Sequence, residues 1–222
     1  MNTVVFSYAP YFAVFGFLAA RMYQWGILRD RRAPAAAPVA SATEAALVLG
    51  FATLAGGHLV TALAPGTMRV LLSDPDRVAV IETIGLVGAL LFAWGVGARL
   101  RRRVQAWRRG VARQAGPALV LALLLAVCLS GVYLTVSFRW ITVWYAYILV
   151  PYTRSLVVME PVTGAITASP WALKQHTLLF FALLAAWPAA GLSLEEIFPL
   201  RAVARRFADD AAVTDTAREA QS

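Results

Sequence analysis

Five separate runs of about 20 mostly apolar residues constrain this chain more than anything else in it. A helix rises about 1.5 Å per residue, so each run matches a hydrocarbon core roughly 30 Å thick. Inside lipid the helix also pairs its own backbone groups, which water cannot do there. The runs are Thr3 to Trp25, Glu44 to Pro65, Val78 to Ala98, Ala118 to Val136 and Trp171 to Leu192. They predict an all-α integral membrane protein, a five-transmembrane-helix bundle over residues 1–206, with a mobile cytoplasmic tail over 207–222. Composition agrees: 60% of the residues are hydrophobic and 14% charged, with a mean hydropathy of +0.67. That is more apolar surface than a soluble core of this length can hide. The first run has no basic residue before it and no small-residue cleavage site, so it reads as a retained span and not a secretory signal.

Arginine placement orients the bundle. Arg29, Arg31 and Arg32 follow the first run, Arg99, Arg101, Arg102, Arg103, Arg108, Arg109 and Arg113 follow the third, and Arg201, Arg205 and Arg206 follow the fifth. The second connection offers only Arg69 and Arg77 against Asp74 and Asp76. Basic connections stay cytoplasmic, which puts the N-terminus outside, the C-terminus in the cytoplasm, and the chain in the inner membrane of a prokaryote. The net charge of +8 then serves anchoring at a lipid surface and not nucleic-acid binding. Ala33 to Ser41, rich in alanine and proline, reads as a linker. Between runs four and five, Arg139, Trp140, Trp144, Tyr145, Tyr147 and Tyr152 suit an aromatic belt or a helix lying in the interface. A sixth crossing there would have to carry Pro151 and Arg154 through lipid.

The two histidines, His58 and His176, lie within runs two and five, which cross in opposite directions. Each falls about 8–10 Å below the same outer surface. Neutral imidazole donates a nitrogen lone pair to iron, and two facing imidazoles at one depth can grip a haem from both sides, leaving no open position for oxygen. Such a site carries electrons. Ala55, Gly57, Thr61 and Ala62 leave room beside His58, as do Gly85 and Gly88 on run three, although small residues equally mediate close helix packing. The histidines themselves have an alternative role as interhelical hydrogen-bonders in a haem-free scaffold or transporter. Cys128 stands alone inside run four, so it reads as a small buried hydrophobe. Metal-hydrolase spacing, a phosphate-cradling loop and a nucleophile with its base are missing, which argues against an independent catalytic site.

Several local patterns occur in order along the chain. They are Tyr8-Ala9-Pro10-Tyr11, Gly57-His58 followed by Leu63-Ala64-Pro65, Cys128-Leu129-Ser130-Gly131, and Gln175-His176 followed by Trp187-Pro188. With these the chain resembles, over most of its length, the gamma subunit of membrane-bound respiratory nitrate reductase. That family is a five-span cytochrome b passing quinol electrons to iron–sulfur and molybdenum subunits. The resemblance implies a haem b-containing anchor and electron-transfer subunit of a nitrate reductase-like or nitrite-oxidising molybdenum enzyme complex. It also implies exchange with the quinone pool, a bound quinone or quinol, and iron–sulfur beta and molybdenum alpha partners.

One departure is pronounced. The family typically places two histidines on span two and two on span five, one haem near each face, whereas this chain keeps the outer pair alone. Val48 and Leu194 stand where the inner ligands would fall, and a thioether such as Met22 is the remaining route to a second haem. One haem b is therefore expected, with His58 and His176 as its axial ligands and Gly57 beside it. An outer haem leaves about 20 Å to the cytoplasmic face, so the redox partner is expected to dock externally. Arg77, where the family has a basic quinol-site residue, is the first candidate for quinol binding, and Lys174 the second. Arg69 and Arg139 are candidate partners of haem propionates or ordinary interfacial arginines. Glu82 is a candidate proton relay or a headgroup-level carboxylate.

Overall fold

The computed structural model describes residues 2–28, 41–111, 114–138 and 140–190, and every element among them is helical. The linker over 33–40 and the tail over 207–222 lie outside the described residues. The long elements are α1 (Asn2–Leu28), α2 (Ala42–Leu63), α4 (Pro75–Arg108) and α5 (Ala115–Ser137), with the short α3 (Pro65–Leu71) joining α2 to α4. Each long element contains a stretch long and apolar enough to cross a membrane. A fifth apolar helix, α9 (Trp171–Ala186), is shorter at 16 residues and continues into a 3-10 turn, Pro188–Ala190. Large side chains such as Phe12, Trp94, Leu119 and Tyr133 are exposed on these helices. Such a surface suits lipid, and the chain is a multi-pass membrane protein.

Local signals set the helix ends. Ser41 Oγ accepts from the Glu44 N–H (3.3 Å) while Glu44 Oε2 accepts from the Ser41 N–H (3.0 Å), a reciprocal cap that starts α2. Asp74 Oδ1 accepts from Asp76 N–H (2.9 Å), and Pro75 occupies the first position of α4, where its missing N–H costs nothing. Two ends differ from expectation. α4 runs on past Ala98 through the arginine cluster to Arg108, because arginine is a good helix former and nothing before Gly110, at φ +89°, breaks the pattern. α9 stops at Ala186, short of Leu192, because Pro188 cannot donate to the helical ladder.

The long helices pack in the order α2, α4, α5, α9, α1. Backbones of α2 and α4 approach closely through glycines. A Cβ on Gly50 would stand 2.5 Å from the Phe92 nitrogen, and one on Gly95 would overlap Leu47. Gly88 packs the same way on Thr53, so its smallness serves helix packing. Leu47, Phe92, Val96, Val120, Leu124, Cys128 and Leu183 form the core along these helices. Cys128 is buried there, its thiol donating to the Ala89 carbonyl (3.2 Å).

Between α5 and α9 the chain forms a cap of short helices. It comprises α6 (Ile141–Trp144), a π-helical turn (Tyr145–Leu149), α7 (Val150–Val157) and, after a loop, α8 (Gly164–Ala168). The cap is pinned to the ends of three long helices. Tyr152 is buried and its hydroxyl donates to the Phe6 carbonyl on α1 (2.6 Å), while Tyr11 of α1 donates to the Leu156 carbonyl (3.1 Å). Arg154 donates to the Ala62 carbonyl at the end of α2 (3.2 Å), and Glu82 Oε1 on α4 accepts from the Thr142 N–H (3.1 Å). Arg154 is thus used as a surface clamp on a broken helix, and this segment does not meet the length and hydropathy of a span.

Candidate functional site

His58 lies five residues before the C-terminus of α2, at Leu63, and His176 five residues after the start of α9, at Trp171. Both helix ends adjoin the capped end of the bundle, so each imidazole sits about 8 Å in from that end. Helix order puts α2 and α9 on either side of the α4–α5 pair, which backs the space between them.

Hydrogen bonds decide which ring nitrogen is available. His58 Nδ1 is 2.9 Å from the Leu54 carbonyl oxygen, one helical turn back. A carbonyl only accepts, so Nδ1 carries the proton and Nε2 keeps its lone pair. His176 Nδ1 is 2.8 Å from Ser130 Oγ on α5. The Ser130 hydroxyl proton is already donated to the Val127 carbonyl (2.8 Å), so its oxygen accepts from Nδ1–H and Nε2 is again free. Two neutral imidazoles, each held through Nδ1 and offering Nε2, are what axial ligation of a haem iron asks of its donors.

The surroundings of the two rings differ. The inward stripe Leu47, Gly50, Leu54, Thr61 is interrupted at Gly57 and His58, which are exposed. A Cβ at Gly57 or at Gly56 would meet nothing within 4 Å. On the α9 side the fit is close: a Cβ on Gly131 would stand 3.3 Å from His176 Cε1. Tyr145, the first residue of the π turn, lies against the His58 ring with centroids 4.7 Å apart, and its hydroxyl donates to the His58 carbonyl (3.2 Å).

The family model described as nitrate reductase gamma subunit matches residues 2–207. The chain belongs to that family. Among curated proteins nothing matches the chain. In this gamma-subunit chain, the other residues singled out in the sequence lie around the capped end without converging on the histidines. Arg77 pairs with Asp74 (3.8 Å) and edges a groove of about 410 Å³ that Leu71, Asp76, Val80 and Ile81 also line. Arg69 places its guanidinium 4.8 Å over the Tyr147 ring, two residues beyond Tyr145. Lys174 is half-buried on α9, two positions from His176 and so on a different face of the helix. Glu82 is occupied by the cap backbone. Arg139 and Leu194 lie outside the described residues.

Of the positions bearing on a second haem, Val48 packs against the core between α2, α4 and α5, and Met22 is 72% exposed on α1. Sequence reasoning did not single out Ser130, Leu54 or Tyr145 as neighbours of the histidines. Leu54 follows from helical spacing alone, since Nδ1 of a helical histidine can reach the carbonyl four residues back, but the approaches of Ser130 and Tyr145 are tertiary.

Proposed function

We propose that the chain is the haem b-bearing membrane anchor and electron-transfer subunit of a nitrate reductase-like or nitrite-oxidising molybdenum complex, with His58 and His176 as the axial ligands of one haem. The observation that carries this reading is that each histidine donates Nδ1–H to an acceptor and turns a free Nε2 toward its surroundings, at one depth on two antiparallel helices. When bound, the haem supplies a one-electron couple. Leu54 and Ser130 fix the imidazole tautomers, and Gly57 leaves space beside α2.

Five crossings, an external N-terminus and a cytoplasmic C-terminus in a prokaryotic inner membrane belong to the same reading, with α9 and its 3-10 extension as the fifth span. The groove at Arg77 is the site assigned to a quinone or quinol, with Lys174 second. Arg69 and Arg139 are assigned to haem propionates. Val48 in the packed core and the exposed Met22 support a single haem. One outer haem would serve partners on the external face better than partners across about 20 Å of membrane, so the iron–sulfur and molybdenum subunits are placed outside.

Reduced-minus-oxidised spectra of the purified chain test the ligand assignment. Sharp α and β bands that vanish in both His58→Ala and His176→Ala are expected. The interhelical bond from His176 to Ser130 also fits a haem-free scaffold, and a colourless parent would assign that function instead.

A further inference from the structure

We infer that Tyr145 is a positioning residue that sets the orientation of the His58 imidazole, an inference that rests on the haem reading above. The two histidines are oriented by different devices. His176 is fixed from within the bundle, by Ser130 at Nδ1 and by the close approach of Gly131 to Cε1. His58 has its bond to Leu54, but the exposed surface around Gly57 leaves its ring little else to lean on. Tyr145 supplies the missing wall. Its ring lies 4.7 Å from the imidazole at an interplanar angle of 58°, and its hydroxyl holds the backbone of the same residue.

The cap is built to deliver that contact. Glu82 accepts from the Thr142 N–H, one of the orphan donors in the first turn of α6, and fixes where the helix begins. The π turn starting at Tyr145 widens the helix by a residue and shifts the register of α7, a local cost that proteins retain mostly at functional sites. Arg154 then holds the Ala62 carbonyl, one turn beyond His58. Two hydrogen bonds from the cap thus hold α2 at the histidine's own carbonyl and one turn after it. The orientation of a ligand imidazole plane splits the iron d orbitals, so a wall against His58 bears on both the potential and the low-spin EPR spectrum of the haem.

The test compares the purified full chain with Tyr145→Phe, which keeps the ring and loses the hydroxyl, Tyr145→Leu, which loses both, and Val158→Ala, an exposed cap control. Haem content, midpoint potential, largest EPR g value and thermal midpoint are measured for each. A shifted potential and g value in Tyr145→Leu, a smaller shift of the same sign in Tyr145→Phe, and a control matching the parent are expected. Coincidence of Tyr145→Leu with the parent in potential and g value would overturn the inference while leaving the haem assignment standing. If Tyr145→Leu loses haem together with thermal stability, Tyr145→Phe decides: a shifted g value sustains the inference and an unchanged one overturns it. A parent without haem overturns both this inference and the reading beneath it.

Discussion

An imidazole offers a metal only one nitrogen once the other carries a proton, and this is where residue-level detail determines what the bundle can do. Equal depth of His58 and His176 was legible from helical rise and the alternation of the spans. The tautomers were not, because the acceptor for His176 is Ser130, 46 residues away on α5. Replacing Ser130 with alanine removes the oxygen nearest Nδ1 but leaves the Val127 carbonyl within reach. The haem is then expected to be retained at an altered midpoint potential, and a redox titration of Ser130→Ala checks this. Gly131 gives a steric counterpart. A Cβ there would stand 3.3 Å from His176 Cε1, so Gly131→Ala is expected to load haem and Gly131→Leu to lose most of it, measured as the ratio of Soret to protein absorbance.

At the scale of elements, apolar length located α1, α2, α4 and α5, and their caps explain where α2 and α4 begin. The arginine run after Ala98 looked like a connection because its charge outweighs its helix propensity in a search for spans, yet it continues α4 to Arg108. The aromatic character of the cap was legible, but a single π turn has no sequence signature and its register came only from tertiary contacts. The seam between α2 and α4 makes a prediction at this scale. Gly95→Ala would drive a methyl into Leu47, and overpacking of this kind costs about 1–3 kcal/mol. Cys128, the sole cysteine and buried between α4 and α5, reports on it directly. A thiol-reactive dye is expected to label the Gly95→Ala chain at a lower temperature than the parent.

For the whole molecule, hydropathy made the membrane class plain, while the family match over residues 2–207 places the chain among nitrate reductase gamma subunits. The proposed fifth crossing rests on α9, which is 16 residues long and leads into the 3-10 turn Pro188–Ala190. A C-terminal reporter resolves this: with five crossings a fused fluorescent protein, which matures in the cytoplasm, is expected to glow, and a fused alkaline phosphatase to stay inactive. The proposed function stands on one outer haem, held by His58 and His176, in place of the family's usual two. That number is read from the haem-to-chain ratio of the purified protein, by pyridine haemochrome against quantitative amino-acid analysis. A ratio near one, falling to near zero in His58→Ala and in His176→Ala, is predicted; a ratio near two, or a haem that survives loss of either histidine, would contradict it.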